Sequence, residues 1–250
     1  MACSCHPETD MEVSLPATEL IRHQAVVSSI ERLSHDIAGV RIQPPDLFKY
    51  KAGQFINLHM NESVSRSYSL ASVPELGEEL YLHVRRIPGG QVSNWIFDVL
   101  KAGDRLTISS ASGDCFYVPG TPEQDIVLIG TGSGLAPLYG IARDALRHQH
   151  RGKISLYHGS YNSSGLYLVD QLKELDNKHD NFSYIPCLSD DYVADQYSRG
   201  MVLDVALSDL PSLAGWRVFL CGNPEMVKSA KTRTFLAGAS SKDIFSDPFG

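Results

Sequence analysis

The alternation of hydrophobic and polar positions changes character near residue 121 of this 250-residue chain. Before that point, short runs rich in β-branched and apolar residues are separated by Gly, Pro, Asp and Asn, a pattern that predicts strands. The runs are AVVSSI, AGVRI, GQFINLHM, ELYLHVRR and RLTIS, with one helix-like stretch, SNWIFDVL. Many short strands and a single helix predict a small antiparallel barrel or sandwich.

Beyond a linker-like GTPEQ segment (120–124), apolar strands alternate with helical segments. The predicted strands are DIVLIG, KISLYHG, FSYIPCL and WRVFLCG, and the predicted helices are PLYGIARDALRHQ, LYLVDQLKEL, MVLDVALSDL and PEMVKSAKTRTFLAG. This alternation predicts a parallel sheet wound with helices. The length of the chain also favours two domains over one.

Composition narrows the classes of function. The formal net charge is −7, which argues against nucleic acid as a partner and weakens an anionic-membrane interpretation. No apolar run reaches the roughly 20 residues that span a bilayer, and the N-terminus lacks a signal-peptide pattern. Five cysteines, an odd number in a chain of this length, indicate reduced thiols. We therefore expect a cytoplasmic protein without membrane insertion.

Gly130, Gly132 and Gly134 lie in a segment, GTGSGLAP (130–137), that follows a predicted strand and opens a predicted helix. Glycines let the backbone approach a pyrophosphate closely, and a helix N-terminus offers free N–H groups and partial positive charge. The spacing is not the strict G-x-G-x-x-G, and no Asp or Glu ends the following strand. A tight turn without a ligand is therefore the alternative.

A second segment, RSYS (66–69), combines a cation, an aromatic ring and hydroxyls. Arg66 offers a planar fork to a phosphate, Tyr68 offers a flat stacking face, and a serine hydroxyl both donates and accepts hydrogen bonds. The alternative for these four residues is a half-exposed strand with alternating polar side chains.

A third segment, PGGQVSNW (88–95), is another glycine-rich turn that leads into a helix. Gln91 or Ser93 can cap that helix, which is the structural interpretation. The alternative is a second anion-binding helix N-terminus, with the cations Arg85 and Arg86 beside it. Two phosphate sites, one in each predicted domain, imply two nucleotides.

The fourth segment, CGNPEM (221–226), ends an apolar strand and begins a helix. Ligands of open α/β sheets bind outside the carboxyl ends of the strands, so we expect Cys221 in the crevice, where a helix N-terminus tends to lower the pKa of a thiol. A buried packing cysteine is the alternative.

Taken in order, these segments resemble the ferredoxin–NADP reductase superfamily over nearly the whole chain. The resemblance rests on RSYS (66–69), HVRRIPGGQVSNW (83–95), GTGSGLAP (130–137), LYHGSYNSSGLYLVDQL (156–172), CGNPEMV (221–227) and DPF (247–249). It implies an antiparallel β-barrel FAD-binding domain (19–121) followed by a Rossmann-like parallel α/β domain for NAD(P)H (122–250). It also implies the activity of an NAD(P)H-dependent flavoprotein oxidoreductase.

The resemblance implies a role for each matched residue. Arg66 would bind the FAD pyrophosphate, Tyr68 would pack on the isoalloxazine, and Ser69 would hydrogen-bond flavin N5, the hydride acceptor. The residues implied on the FAD side are Arg66, Ser67, Tyr68, Ser69, His83, Val84, Arg85, Gly89, Gly90, Gln91, Val92, Ser93 and Phe249. Those implied on the NAD(P)H side are Gly130, Thr131, Gly132, Gly134, Pro137, Ser160, Cys221, Gly222 and Pro224. Ser69 and Cys221 would flank the hydride transfer, which needs no metal.

Within the superfamily, the chain most resembles the FAD/NAD(P)H part of bacterial oxygenase reductases such as soluble methane monooxygenase reductase. Residues 2–13 resemble the end of a plant-type [2Fe–2S] ferredoxin domain, with Cys3 at the fourth ligand position. The other three ligands, a C-x4-C-x2-C run, are missing, so we expect FAD but no iron–sulfur cluster and interpret residues 1–18 as a remnant. A zinc site at Cys3, Cys5 and His6 lacks a convincing fourth ligand.

Residues 158–164 (HGSYNSS) contain no Arg or Lys, the cations that the extra phosphate of NADPH needs, so we expect NADH over NADPH. The first hypothesis is then an NADH-dependent reductase that passes electrons to an iron–sulfur protein or oxygenase component. A stand-alone flavin reductase and a FAD-binding electron-transfer subunit without nicotinamide activity are the alternatives. The intact glycine and cysteine segments count against the last, and the ferredoxin-like N-terminus favours the first.

Overall fold

The computed structural model describes residues 21–77, 79–190, 194 and 196–249. The interpretations of residues 1–18, including Cys3, Cys5 and His6 as cluster or metal ligands, lie outside these residues. No helix in the described ranges is long and apolar enough to cross a bilayer.

The described residues of the first half form six strands, and all of their pairings are antiparallel. They are β1 (Arg22–Arg32), β2 (Ile37–Gln43), β3 (Phe55–His59), β4 (Ser65–Ser69), β5 (Leu80–Arg85) and β6 (Arg105–Ser109). Their order in the sheet is β4-β3-β6-β1-β2-β5.

The core of this half follows from the alternation of side chains along each strand. Ile56 and Leu58 of β3 and Leu82 of β5 are fully buried in one apolar cluster. Helix α1 (Gln91–Asp98) contributes Val92 and Ile96 to the same cluster. The helix begins at Gln91, earlier than the SNWIFDVL pattern predicts, because Gly90 occupies its N-cap position.

In the second half, the part of the chain that the structure describes contains six further strands, all paired parallel. They are β7 (Ile126–Thr131), β8 (Ile154–Ser160), β9 (Phe182–Leu188), β10 (Ser198–Arg199), β11 (Arg217–Gly222) and β12 (Ile244–Pro248). The helices are α2 (Leu135–Arg147), α3 (Val169–Lys178), α4 (Val202–Asp209) and α5 (Pro224–Leu236). The predicted fold class, an antiparallel barrel followed by a parallel α/β domain, is confirmed.

The order of strands in the second sheet, β10-β9-β8-β7-β11-β12, changes direction at β7. The chain adds β8, β9 and β10 on one side of β7 and then crosses back to add β11 and β12 on the other. The crevice at the carboxyl ends of β7 and β11 is therefore a topological switch point, where open α/β sheets bind ligands. The glycine and cysteine segments both begin at this crevice.

Two strands of this sheet lack a pattern that predicts them. β10 has two residues, and β12 continues from Ile244 and Phe245 into the polar Ser246 and Asp247. β12 forms because its backbone pairs with β11 at the edge of the sheet. Pairing of this kind depends on tertiary context rather than on local preference.

The segment that connects the two sheets packs with the second one. Cys115 and Tyr117 are buried in an apolar cluster of the parallel sheet. The hydroxyl of Tyr117 lies 3.2 Å from Nδ1 of His150, and Arg217 donates a hydrogen bond of 3.0 Å to the carbonyl of Val118. The chain is therefore fixed to the second sheet before the predicted linker at 120–124 begins.

Two buried histidines make the stability of the fold depend on pH. Burial lowers the pKa of His83 to about 3 and the pKa of His158 to about 4, so both rings are neutral in the folded chain. In the unfolded chain the same rings take up protons near pH 6.5. The stabilisation is therefore fully present above that pH and is lost as the pH falls toward the folded-state values.

We expect the free energy of unfolding to fall by about 2 kcal/mol per buried histidine between pH 7 and pH 5. Urea denaturation at the two pH values measures this fall. His83→Asn removes one titrating ring and keeps a hydrogen-bonding side chain, so its fall should be smaller. Equal falls in the variant and the parent chain would contradict the assignment of His83.

Candidate functional site

Three segments that are far apart in sequence meet at the switch point. Cys221 pairs with Gly130 of β7 on one side and with Asp247 of β12 on the other. Across the boundary between the sheets, Ser69 Oγ at the end of β4 donates a hydrogen bond of 2.6 Å to Asp247 Oδ2. The structure thus brings Ser69 and Cys221, the two candidate catalytic residues, to the same aspartate.

Asp247 is a site residue that the sequence analysis missed. Its carboxyl is largely buried, and burial raises its pKa, while the hydrogen bond from Ser69 acts in the opposite direction. The available signal was its position: it opens the DPF segment, of which only the aromatic residue was assigned a role. A buried carboxyl with a raised pKa and a single specific donor is typical of a functional site.

Cys221 differs from the expectation based on its position before a helix. The residue is completely buried, and its Sγ lies 3.7 Å from Sγ of Cys115. Burial, the neighbouring thiol of Cys115 and the charge of Asp247 raise its pKa well above the ordinary value. The expected lowering is therefore wrong. The N-terminus of α5 does not counteract burial, because the side chain of Asn223 already accepts hydrogen bonds from its first amides.

The glycines of the 130–137 segment have different roles. An added Cβ on Gly134 would collide with the carbonyl oxygen of Cys221, and one on Gly130 would lie 2.6 Å from Leu138 Cδ1. These two glycines therefore permit close packing of α2 against the sheet. Gly132 has a φ of +53°, which favours glycine, and starts a single 3₁₀ turn that leads into α2.

Helix α2 contacts both halves of the molecule. Gly134 at its start lies against β11. Gly140 in its middle lies against the residues that directly follow β4, because an added Cβ there would be only 3.1 Å from the carbonyl oxygens of Leu70 and Ala71. Pro137 is buried in its first turn. No side chain among the described residues caps α2, but the N–H of Leu135 already donates to the carbonyls of Gly132 and Ser133, and Pro137 has no N–H. An anion at this helix start would therefore be bound mainly by backbone amides of the preceding 3₁₀ turn.

Thr131 and Gly222 hold the ends of β7 and β11 together. Thr131 Oγ1 accepts a hydrogen bond of 3.2 Å from the backbone N–H of Asn223. Gly222 has a φ of +118°, and an added Cβ there would lie 2.6 Å from the Thr131 carbonyl oxygen. Pro224 is the first residue of α5, and Ser160 ends β8 on the other side of β7.

On the barrel side, β4 does not alternate between exposed and buried positions; it becomes progressively more buried from Arg66 to Ser69. Arg66 and Ser67 are exposed, Tyr68 is half-buried and Ser69 is buried. Burial raises the pKa of Tyr68 to about 12, although the charge of Arg66 opposes this, so the phenol stays protonated. Ser67 Oγ donates a hydrogen bond to Asn57 Oδ1 at 2.7 Å on the neighbouring strand. An exposed guanidinium and a half-buried ring on one strand fit a nucleotide cofactor.

The turn before α1 fits a pyrophosphate. Gly89 has a φ of +73° and an open surrounding, and Gly90 occupies the N-cap without a side-chain cap in the described part of the chain. The hydroxyl of Ser93 stabilises the turn, because its Oγ accepts a hydrogen bond from the backbone N–H of Ile87 and donates one of 3.4 Å to the carbonyl of Gly90. The amides at the start of α1 therefore remain for an anion, while Gln91 is exposed and Val92 is buried in the barrel core.

His83, Val84 and Arg85 direct their side chains away from that turn. His83 contacts Tyr167 of the second half, and Val84 lies in the barrel core. Arg85 donates a hydrogen bond of 2.8 Å to Asp36, and its Nη1 lies 3.2 Å from an added Cβ on Gly132. Contact of these residues with FAD would thus come from the backbone, whereas the Arg85 guanidinium lies at the nucleotide loop of the other half.

Phe249 is partly buried, and its backbone N–H donates a hydrogen bond of 2.8 Å to the carbonyl of Gly222. The residue is therefore fixed beside the end of β11. No group of three or more His, Cys, Asp and Glu within the described ranges could hold a metal ion.

Two family models match the chain: the oxidoreductase FAD-binding domain over residues 24–117 and the oxidoreductase NAD-binding domain over residues 128–232. The reductase subunit of an aromatic O-demethylase from an Amycolatopsis species is 37% identical over 92% of this chain and 71% of its own. The reductase component of a naphthalene 1,2-dioxygenase system from Pseudomonas putida, a ferredoxin–NAD(P)+ reductase, is 31% identical over 97% and 73%. The crystal structure of an Amycolatopsis cytochrome P450 reductase has a TM-score of 0.86 and 34% identity, over 99% of this chain and 77% of that one.

Gly222→Ala should destabilise the chain by about 3 kcal/mol, because it combines backbone strain at positive φ with a collision against Thr131. Gly215→Ala is the matched control: its φ is +83°, but an added Cβ has no atom within 4 Å. We expect about 1 kcal/mol from that variant. Urea denaturation measures both, and equal losses would mean that the contact with Thr131 does not matter.

Proposed function

Because this chain belongs to the FAD- and NAD-binding reductases of the ferredoxin–NADP reductase superfamily, which include the reductase components of oxygenase systems, we propose that NADH is its hydride donor and that an iron–sulfur protein or oxygenase component receives its electrons. The observation that carries the proposal is the meeting of Ser69, Asp247 and Cys221 at the switch point between the two nucleotide-binding halves.

A bound FAD supplies a ring that accepts hydride from a reduced nicotinamide and releases the electrons singly. The chain supplies binding and orientation. Arg66 and the free amides of α1 are placed to hold the FAD pyrophosphate, and Tyr68 offers a face for the isoalloxazine. The amides of the 3₁₀ turn before α2 and the guanidinium of Arg85, which lies at that turn, would hold the pyrophosphate of the nicotinamide nucleotide.

Ser69 and Asp247 control a proton next to the reacting rings. Ser69 gives its hydroxyl proton to a hydrogen bond with Asp247 Oδ2, which leaves the lone pairs of Ser69 Oγ free to accept from a ring N–H. Burial raises the pKa of Asp247, so its carboxyl takes up a proton more readily than an ordinary aspartate, and the hydrogen bond from Ser69 at Oδ2 leaves Oδ1 as the oxygen that would carry it. Cys221, completely buried beside Asp247, excludes water from this position.

The preference for NADH rests on the end of β8. Ser160 ends that strand, and Ser164 Oγ donates to Asn162 Oδ1 at 2.7 Å in the loop that follows. This loop has serines and an asparagine where the 2′-phosphate of NADPH needs cations. Hydroxyl and amide groups suit the ribose hydroxyls of NADH.

A cytoplasmic location is part of the proposal. Cys115 and Cys221 are close neighbours that remain unbridged thiols, as expected in a reducing compartment.

A stand-alone flavin reductase is the second candidate. Its flavin is a substrate that leaves after each turnover, so such a protein loses FAD during purification. An uncapped α1 N-terminus together with the exposed Arg66 favours retained FAD instead. Retention of yellow FAD through gel filtration would support the first function, and release of the flavin would support the second.

The function is tested by anaerobic addition of NADH or NADPH to the FAD-loaded chain, with flavin absorbance as the readout. We expect bleaching by both nucleotides, with a second-order rate constant about tenfold higher for NADH, since a 2′-phosphate bound without a cation leaves a charge unpaired, and a cost of about 1.4 kcal/mol corresponds to a tenfold difference. An oxidised [2Fe–2S] ferredoxin domain, added afterwards, should restore the yellow colour. A preference for NADPH would overturn the cofactor choice, and a chain that neither nucleotide bleaches would overturn the function.

Ser69→Ala should slow flavin bleaching at saturating NADH by about 10- to 100-fold, because it removes a hydrogen-bonding group from the site of charge change. Ser28→Ala is the control. Ser28 lies on β1 outside the site and donates an equally short hydrogen bond of 2.6 Å to the carboxylate of Glu79. Stopped-flow absorbance gives the rate for each. The role of Ser69 would be refuted by equal rates in the two variants.

A further inference from the structure

A hydrogen bond between two buried side chains crosses the boundary between the barrel and the parallel sheet. His83 lies on β5, and Tyr167 lies just before α3; their exposed fractions are 3% and 2%. His83 Nδ1 is 3.1 Å from the Tyr167 hydroxyl, and the two rings meet edge to face at 5.2 Å and 85°. The contact joins positions that are 84 residues apart in sequence.

The same contact continues to the nucleotide loop. The ring of Tyr167 meets the ring of His158, on β8, at 5.5 Å and 89°. His158 is completely buried, its Nδ1 lies 3.3 Å from the hydroxyl of Tyr184, and it lies opposite Gly130 in the pairing of β8 with β7. Gly130 opens the glycine segment that leads to α2, so the chain of contacts runs from that segment to a strand of the barrel.

The two buried histidines make this boundary less stable than an apolar one would be. Nε2 of His83 and Nε2 of His158 have no hydrogen-bond partner among the described residues, and each unpaired buried polar atom costs free energy. Apolar side chains of the same shape would avoid that cost. What a hydrogen bond adds is direction: it fixes the distance and angle between the groups that it joins.

We propose that His83 and Tyr167 are positioning residues, which set the placement of the nucleotide loop relative to the FAD-binding strand for hydride transfer. The inference rests on the proposed function. Hydride transfer requires the two rings in near-contact geometry, and misplacement by about 1 Å can cost up to about 10²-fold in rate. Apart from Arg85, which reaches the glycine loop from β5, the groups proposed for each nucleotide come mainly from one half, so a fault at this boundary affects the transfer more than the two binding steps.

The test compares four variants of the full FAD-loaded chain in stopped-flow reduction by NADH. Tyr167→Phe and His83→Leu remove the hydrogen bond, and His83→Asn restores a donor or acceptor near Nδ1. Tyr184→Phe is the control, because it removes a bond of the same kind to His158 inside the parallel sheet. We expect the rate at saturating NADH to fall about tenfold in the first two variants, with FAD content unchanged and the NADH concentration for half-maximal rate within about twofold. His83→Asn should recover most of the rate, and Tyr184→Phe should keep it.

A second readout does not depend on activity. Hydrogen–deuterium exchange of the full chain without nicotinamide nucleotide reports the opening of the boundary. Backbone amides of residues 80–85 and 165–169 should exchange faster in Tyr167→Phe and His83→Leu than in Tyr184→Phe. Equal exchange in the three variants would overturn the proposal.

The remaining outcomes separate the two levels of inference. If the parent chain is bleached by NADH and Tyr167→Phe reacts at the same saturating rate, the positioning role fails while the reductase function stands. If His83→Asn is no better than His83→Leu, the hydrogen bond is not the cause and the proposal also fails. If NADH does not bleach the parent chain, the proposed function itself fails.

Discussion

The hydrogen bond from Ser69 to Asp247 joins two sheets that fold around separate apolar cores. Burial raises the pKa of Asp247, and its hydrogen-bond donor comes from the other sheet. A carboxyl in such a position is costly unless it is paired or protonated. The protonation of Asp247 therefore depends on the contact between the two halves, because the hydrogen bond from Ser69 lowers a pKa that burial raises. A change in that contact would change the charge at the crevice.

Helix α2 fixes the position of the two halves at this contact. Its first turn lies against Cys221 because Gly134 has no side chain, and its middle lies against the residues after Ser69 because Gly140 has none. Backbone-to-backbone packing has little freedom to adjust, since it lacks side chains that could change rotamer. The same helix thus fixes the distance between the glycine turn at its start and the end of β4.

Much of the fold was predictable because it depends on local patterns. Periods of two and of 3.6 residues gave the strands and helices, and glycine-rich turns marked the starts of α1 and α2. Asp247 was not predictable by these means, because its partner is Ser69 and no periodic signal marks such a long-range pair. The pKa of Cys221 was wrongly predicted for a similar reason: the helix end is visible in sequence, whereas Cys115 beside it is not. The contact of His83 with Tyr167 was not predictable either, because what covers this side of β5 is decided by the second sheet.

The segment with Cys115 and Tyr117 changes how the molecule can be divided. The hydrophobic pattern changes near residue 121, but the side chains of Cys115 and Tyr117 already fill the core of the parallel sheet. A recombinant second half that started at residue 122 would fold around a hole of two side chains, next to the thiol of Cys221. A cut beside Gly113, whose φ of +102° turns the chain before Cys115, leaves that core complete. The sequence pattern changes near residue 121, whereas the unit that folds around the parallel sheet begins near residue 113.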